Sequence, residues 1–340
     1  RADVAGVSAR DMAAGRGWFG LSRTAGARMR PPTGTWAGEL TRIHRWAAAA
    51  CRRGRDFLAL TKPRVVLMVL VTTSAGFYLG SWEVPDWVRL LQTLIGTALA
   101  AGGTIALNQY LERDVDARME RTRLRPLPSG RLQPTEGLAF GAAITGGGLL
   151  YLMLTGGPLS ALVTAVTVGS YLFAYTPLKR KSPLSTVVGA IPGALPPMIG
   201  WVAARDGFGL EAWVLSAILF FWQIPHSLAI ASLYRDDYAR ANIRFLPVVD
   251  RDGRGTGRPI VSNCFALLIV GLMPTLTGVA GSVYFFGALA LGVAFLGCGI
   301  DLAISRSAGA ARRLLLASLV YLPVLLALMA LDKVPSSPWS

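Results

Sequence analysis

Long apolar segments alternate with short charged loops from about residue 65 to residue 331. Few of these segments contain a charged residue, and each approaches the ~20 residues that a membrane-spanning helix requires. No alternating strand pattern is visible, and a backbone inside a bilayer needs internal hydrogen-bond partners, so we predict helices. The pattern predicts an all-α polytopic membrane protein with about nine spans, near 65–81, 88–110, 136–155, 158–177, 184–203, 211–233, 259–278, 282–303 and 314–331.

The composition agrees with a membrane protein and removes three other classes. Hydrophobic residues make up 53% of the 340 positions and charged residues 16%, against roughly 25% charged in soluble proteins. The net charge of +15 would suggest a nucleic-acid partner, but that function needs a soluble basic face, which this pattern lacks. The apolar content excludes a disordered chain. The wide spacing of the three cysteines, Cys51, Cys264 and Cys298, excludes a secreted disulfide scaffold.

The basic residues are divided unevenly between the two sides that nine spans create. Of the 34, 31 lie in the first 64 residues or in loops after even-numbered spans, and the other side receives only Arg89, Arg205 and Lys333. By the positive-inside rule the N-terminus is cytoplasmic and the C-terminus outside. A bacterial inner membrane is the simplest location, and the basic extension keeps a mitochondrial inner membrane open.

The chain is expected to divide into a basic, partly disordered N-terminal extension, residues 1–56, and a membrane domain, residues 57–335. From Leu40 an apolar stripe with helical spacing lies opposite several arginines, which predicts an amphipathic helix at the membrane interface. The alternative is a basic tail that only anchors the topology.

The loop after the second span places acids and arginines at the end of an apolar helix. If the helix continues, Asn108, Glu112 and Asp116 lie at i, i+4 and i+8 and share one stripe. Their hard oxygens suit Mg²⁺ that is also held by substrate phosphates, and interleaved arginines suit phosphate oxygens. In the alternative interpretation the loop is solvated and its charges pair with each other. Asn108 favours a site, because an amide at this depth is costly without a partner.

Two further loops on the same side add charge. Arg-Asp-x-x-Ala-Arg occurs at 113–118 and again at 235–240, either through duplication of a four-helix unit or by chance. Two acidic clusters can hold separate Mg²⁺ ions on one diphosphate. Lys179 and Arg180 would neutralise the leaving diphosphate, whereas for Lys181 the alternative is a residue that only anchors the topology. The helix breakers between Gly189 and Pro197 fall at mid-membrane, where they line a cavity or pack closely on protein.

Residues 108–126 resemble the first aspartate-rich motif of the intramembrane prenyltransferase superfamily, which includes the ubiquinone-pathway aromatic prenyltransferases. Three features resemble its heme-farnesylating branch, and the resemblance covers roughly residues 57–331. The features are Leu60-Thr-Lys-Pro-Arg64, Met119 before an Arg-Thr pair, and Trp222-Gln-Ile-Pro-His226 followed by Asp237-Tyr238 and Leu246-Pro-Val-Val249.

The resemblance implies helices around a central cavity that opens to the cytoplasmic side. It implies transfer of a farnesyl group from farnesyl diphosphate to a vinyl group of heme B, with hydration, giving heme O. It also implies a Mg²⁺ cofactor, contact with the lipid bilayer and a downstream heme-modifying enzyme as partner. The implied metal ligands are Asn108, Glu112, Asp116 and Asp237, which with His226 form the catalytic set. The implied substrate-binding residues are Arg64, Arg118, Arg121, Arg125, Tyr175, Lys179, Arg180, Gln223, Asp236 and Tyr238.

The sequence departs from this pattern at three positions. Glu112 replaces the usual middle aspartate of the first motif, and Ala241 stands where the second motif usually ends in aspartate. Ser227 follows His226 where phenylalanine is common in the heme branch. An aromatic prenyltransferase that acts on a quinone precursor is the nearest alternative function. A secondary transporter of an anionic metabolite is the alternative from another class.

Overall fold

The computed structural model describes residues 35–82, 84–250 and 252–334. In this part of the chain the regular elements are helices, apart from one isolated bridge between Ala280 and Lys333. The expected disorder of the extension falls mainly before residue 35 and so lies outside the described residues.

Fourteen α-helices and one π-helical turn follow one another along the described part of the chain. They are α1 (Thr35–Thr61), α2 (Pro63–Gly80), α3 (Trp87–Asp116), α4 (Pro134–Thr155), α5 (Pro158–Gly169), the π-turn (Ser170–Tyr175), α6 (Thr176–Leu178), α7 (Ser185–Ala194), α8 (Pro196–Arg205), α9 (Leu210–Leu233), α10 (Arg235–Arg240), α11 (Leu246–Val249), α12 (Arg254–Leu276), α13 (Ser282–Ser305) and α14 (Ala308–Leu331).

The prediction of nine membrane-spanning helices is confirmed for the described residues. Nine helical segments there are long and apolar enough to cross a bilayer, and each agrees with a predicted span to within a few residues at most ends. Two spans are composite. One runs from α5 through the π-turn into α6, and the other consists of α7 and α8, which meet at Leu195 before Pro196 and Pro197.

Contacts divide the chain into two compact units, with the boundary between Ala49 and Ala50 inside α1. The helix predicted from Leu40 onward is present, since α1 extends over the whole apolar and basic stripe. Its position at a membrane interface stays a prediction. The second unit contains all nine spans.

The second unit is built from closely packed helix pairs, chiefly α3 with α4, α2 with α8, and α12 with α13. Glycines allow the close approach of α2 and α8. A Cβ atom on Gly76 would lie 1.9 Å from the Pro197 carbonyl oxygen, and one on Gly200 would lie 1.9 Å from the Thr73 carbonyl oxygen. Small residues at such crossings let backbones meet where lipid provides no hydrophobic driving force.

The three basic residues of the base-poor side meet protein partners at one end of the bundle. Arg89, at the start of α3, forms an ion pair with Asp206 at the end of α8. Arg205 Nε donates to the Gly80 carbonyl at 2.7 Å, and Lys333 Nζ donates to the carbonyls of Tyr78 and Ser81, each at 2.7 Å. The contacts of Arg205 and Lys333 satisfy carbonyl groups at and just after the C-terminal end of α2, which have no partner within the helix.

Candidate active site

The C-terminal half of α3 forms one wall of the candidate site. The helix continues to Asp116, six residues beyond the predicted end of the span, so Asn108, Glu112 and Asp116 lie along one helical stripe. Asn108 and Asp116 are each only 2% exposed. The helical continuation on which the predicted stripe depends is therefore present.

The π-turn sets the orientation of the Asn108 amide. Asn108 Nδ2 donates to Thr176 Oγ1 at 3.0 Å, while the Thr176 hydroxyl donates to the Tyr171 carbonyl at 2.8 Å across the turn. Because the single hydroxyl proton is used on Tyr171, the Thr176 oxygen can only accept from the amide nitrogen. Asn108 Oδ1 consequently points away from Thr176, and no donor among the described residues is bonded to it.

Both carboxylates of the stripe are paired with bases from other segments. Lys179 Nζ lies 3.0 Å from Glu112 Oε1 and 3.1 Å from Oε2, and Arg125 Nη1 lies 2.6 Å from Asp116 Oδ2. The pairing agrees with the alternative interpretation of this loop, but the groups are buried or half-buried rather than solvated. An ionic cluster of this kind tolerates burial only when its members remain paired.

Lys62 adds a third cation, which was not among the site residues expected from the sequence. It caps the N-terminus of α2 in the left-handed conformation, with φ 47°, and its half-buried side chain has no carboxylate partner among the described residues. Burial and the nearby Arg125 charge lower the pKa of Lys62 to about 8, although Asp116 and Glu112 oppose the shift. The cluster thus holds three cations against two carboxylates.

Aromatic rings enclose the Lys179 ammonium. Its Nζ lies 4.3 Å from the centroid of the Tyr175 ring and 6.0 Å from that of Tyr171. Burial alone would lower the pKa of Lys179, but the neighbouring Tyr175 side chain and the Glu112 carboxylate together outweigh it and raise the pKa. Lys179 therefore stays charged at neutral pH.

Asp237 joins the loop after the sixth span to the loop after the second span. Its Oδ1 accepts from the backbone N–H of Glu120 at 3.0 Å and from Arg240 Nη2 at 2.6 Å. Burial opposes ionisation, but these donors lower the pKa of Asp237. Arg121 reinforces the junction by donating to the Tyr238 hydroxyl at 3.1 Å. One oxygen of this expected metal ligand is therefore engaged by the protein.

The remaining site residues divide between anchored and exposed positions. Gln223 Nε2 donates to the Ala190 carbonyl at 2.6 Å, and His226 Nδ1 lies 2.7 Å from Ser318 Oγ. The structure does not bring five of the expected residues into the buried cluster, because they are exposed: Arg64, Arg118, Arg121, Arg180 and Asp236.

The donor set around Asn108 fits Mg²⁺ together with a substrate. Among the described residues no three Asp, Glu, His or Cys side chains lie close enough together to hold a metal ion. Mg²⁺, however, is commonly bound through one or two carboxylates plus substrate phosphates. Asn108 Oδ1 is unpartnered, and the Glu112 and Asp116 carboxylates lie on the same stripe, so these three residues would hold the ion.

Comparison with known proteins defines the class. The model of the UbiA prenyltransferase family matches residues 69–327, so the chain belongs to that family of intramembrane prenyltransferases. Within the family its relatives carry the name protoheme IX farnesyltransferase. The protein of Solibacter usitatus (strain Ellin6076) is 49% identical over 288 residues, covering 82% of this chain and 99% of that protein. The protein of Koribacter versatilis (strain Ellin345) is 46% identical over 290 residues, covering 82% and 93%.

Solved structures show the same fold at low sequence identity. A digeranylgeranylglyceryl phosphate synthase has a TM-score of 0.70 at 13% identity, covering 83% of this chain and 98% of that one. A UbiA homolog from Archaeoglobus fulgidus, bound to GPP and Mg²⁺, has a TM-score of 0.58 at 16% identity, covering 81% and 99%. The predicted all-α membrane fold and family are therefore confirmed.

Proposed function

We propose that this protein transfers a farnesyl group from farnesyl diphosphate to a vinyl group of heme B, with hydration, to give heme O. The observation that supports it most is the near full-length similarity to proteins named protoheme IX farnesyltransferase. The ionic cluster on α3 supports the same reaction, because it joins oxygen ligands with cations at the end of an apolar bundle.

The diphosphate would bind at the base-rich end of the bundle, which we place in the cytoplasm. Asn108, Glu112 and Asp116 would hold Mg²⁺, which when bound would neutralise negative charge on the leaving diphosphate. Lys62, Arg125 and Lys179 surround the same position and would form charge-assisted hydrogen bonds to phosphate oxygens. Asp237 would act here by holding the two loops together through its contacts with Glu120 and Arg240.

The farnesyl tail would lie among the apolar helices, where water is scarce. Loss of diphosphate leaves an allylic carbocation, and a dry site protects it from premature hydrolysis. The heme vinyl group supplies the electron pair for the new C–C bond, which moves the positive charge to the carbon beside the porphyrin ring. Water then adds to that carbon and loses a proton, which completes the hydroxyethylfarnesyl side chain.

The test is conversion of heme B in membranes that contain the protein, with farnesyl diphosphate and Mg²⁺, followed by mass spectrometry of the extracted heme. Heme O is expected, and Asp116→Asn should lower its rate by about 100-fold or more, since it removes a charge aimed at the reacting centre. Asp301→Asn is the matched control, because Asp301 pairs with Arg313 outside the cluster. Unchanged heme B, with prenylation of an aromatic acid instead, would assign the acceptor to the quinone-precursor class.

A further inference from the structure

His226 lies in a polar contact between two spanning helices. Its Nδ1 is 2.7 Å from Ser318 Oγ on α14, and its ring stacks on Trp222 with 4.9 Å between the centroids and 20° between the planes. Trp222 is itself held by α14, because its Nε1 donates to the Ser318 carbonyl at 2.9 Å. The position and plane of the imidazole are therefore set by two contacts that both involve Ser318.

The hydrogen bonds of Ser318 determine which nitrogen of His226 carries the proton. Ser318 Oγ lies 2.6 Å from the Leu315 carbonyl oxygen, a group that can only accept, so the hydroxyl proton is directed there. The short contact with His226 then needs its proton from Nδ1. A charged imidazole without a counter-ion is costly in apolar surroundings, so the ring is neutral and Nε2 carries no proton.

The lone pair on Nε2 has no partner within the described residues. No hydrogen bond to Nε2 is present there. Nε2 is also not fully buried, since it is absent from the set of fully buried polar atoms without a partner. His226 follows Gln223 by three residues, so the two side chains lie on neighbouring positions of one α9 face. His226 also lies eight residues, or about 12 Å, from Tyr234 at the loop that carries Asp237.

We propose that Ser318 is a positioning residue that holds His226 in the Nδ1–H tautomer, and that His226 Nε2 accepts the proton of the water that adds to the prenylated vinyl group. The inference rests on the proposed function. In this step the water oxygen forms a C–O bond to the cationic carbon, one water O–H bond breaks, and its proton moves to Nε2. The positive charge thus passes from the carbocation to the imidazole, and the total charge of the site does not change. The diphosphate has already left with the electron pair of the farnesyl C–O bond.

The tautomer can be tested without any activity. The chain has two histidines, so His44→Gln leaves His226 as the only source of imidazole ¹⁵N signals in protein labelled at histidine. We expect a protonated Nδ1 and a bare Nε2 in the wild-type contact, a mixture of tautomers in Ser318→Ala, and restoration of the single tautomer in Ser318→Thr. A protonated Nε2 in the His44→Gln protein would overturn the proposal, whatever the acceptor of the reaction is.

The role of Nε2 is tested by one substitution at His226 and one at Ser318. His226→Asn keeps an N–H donor where Nδ1 lies and so keeps the Ser318 contact, but it has no atom at Nε2. We expect it to retain the wild-type melting temperature and KM for farnesyl diphosphate while kcat falls by about 100-fold or more, the usual range for a general base. Ser318→Ala should lower kcat by about tenfold through mixed tautomers, with recovery in Ser318→Thr.

Two results would contradict the role of Nε2. One is wild-type formation of the hydroxylated product by His226→Asn. The other is a shifted Soret band of bound heme in this variant with kcat unchanged, which would make Nε2 an iron ligand instead. Failure of the wild-type protein to convert heme B would refute the proposed function separately and would leave the ¹⁵N result valid.

Discussion

Lys62 gives the candidate site one positive charge more than its carboxylates can neutralise. Its pKa of about 8 reflects burial beside Arg125, and a bound diphosphate would supply the missing negative charge. Below pH 8 the ammonium attracts the diphosphate, and this attraction is lost as the pH rises through about 8. We therefore expect KM for farnesyl diphosphate to increase between about pH 7 and 9. Initial rates across that range give the measurement.

Two variants distinguish the effect of Lys62 titration on KM from that of other titrating groups. Lys62→Met should have a raised KM that no longer changes over this range, and Lys62→Arg should keep a low KM throughout because arginine stays charged. The buried Lys62 charge also lowers the free energy of unfolding of the unliganded protein below pH 8. This destabilisation diminishes as the pH rises from about 8 toward 10.5, the ordinary pKa of a lysine. A KM that rises equally in Lys62→Met would assign the pH dependence to another group.

Thr176 is expected to act on metal binding through Asn108. Thr176→Val keeps the shape but removes the hydroxyl that holds the amide, so Asn108 Oδ1 is no longer oriented. Loss of such an outer contact commonly lowers metal affinity 10- to 100-fold, so we expect a comparable rise in the Mg²⁺ concentration needed for half-maximal rate. Mn²⁺ binding followed by electron paramagnetic resonance, with farnesyl diphosphate present, should show the same loss. Thr176→Ser keeps the hydroxyl and should behave as wild type; equal loss in both variants would implicate packing.

The sequence predicted the ligand stripe but not the residues that orient it. Asn108, Glu112 and Asp116 follow from helical spacing once the helix continues. Thr176 and Ser318 could not be found in this way, because the side chains that they orient lie 68 and 92 residues away in the chain. Lys62 was hidden by its left-handed backbone, which turns its side chain toward the cluster while Arg64 remains exposed.

Among the elements, α2 and α8 depend most directly on close packing. Gly76→Ala and Gly200→Ala would each place a methyl group 1.9 Å from a backbone oxygen of the facing helix, so the helices must separate. Overpacking of this kind typically costs about 1–3 kcal/mol of the free energy of unfolding. We expect both variants to unfold at lower temperature in detergent, as followed by circular dichroism.

Gly146→Ala provides the matched control within α4. No atom lies within 4 Å of the Cβ that this substitution adds, so the change tests helix propensity alone. Alanine favours a helix over glycine, and the melting temperature should stay the same or rise. Equal destabilisation by Gly146→Ala and Gly76→Ala would refute the packing argument.

Apolar length predicted the spans well because burial in lipid requires a continuous helix whatever the helix packs against. The prediction was less complete where helices are interrupted. Pro196 and Pro197 indicated the break between α7 and α8, whereas nothing in the pattern of residues 170–175 announced a π-turn. Thr176, the residue that follows the turn, accepts a hydrogen bond from Asn108 on α3, a tertiary contact that the local sequence does not indicate. The two copies of the Arg-Asp-x-x-Ala-Arg motif also differ in structure. The first copy ends α3, and the second forms the separate helix α10.

At the scale of the whole molecule, charge separates the two ends of the bundle. The base-poor end is closed by internal contacts of Arg89, Arg205 and Lys333 with helix ends and with Asp206. The opposite end carries the ionic cluster and the junction between the loops after the second and sixth spans. Each basic residue at the base-poor end is therefore bonded to a group of the protein. At the opposite end the cations of the ionic cluster outnumber its carboxylates.

The orientation of these two ends can be measured with native and introduced cysteines. Cys51 is exposed and lies on the side that we assign to the cytoplasm, whereas Gly207 lies in the loop between α8 and α9 on the opposite side. In intact spheroplasts a membrane-impermeant maleimide should leave Cys51 unlabelled and should label Gly207→Cys made in a Cys51→Ser background. After permeabilisation both should react, and Cys51→Ser alone reports any background from Cys264 and Cys298. Labelling of Cys51 before permeabilisation, with protection of Gly207→Cys, would reverse the topology and place the diphosphate site outside. That result would contradict the positive-inside assignment, because 31 of the 34 basic residues would then lie on the outer side.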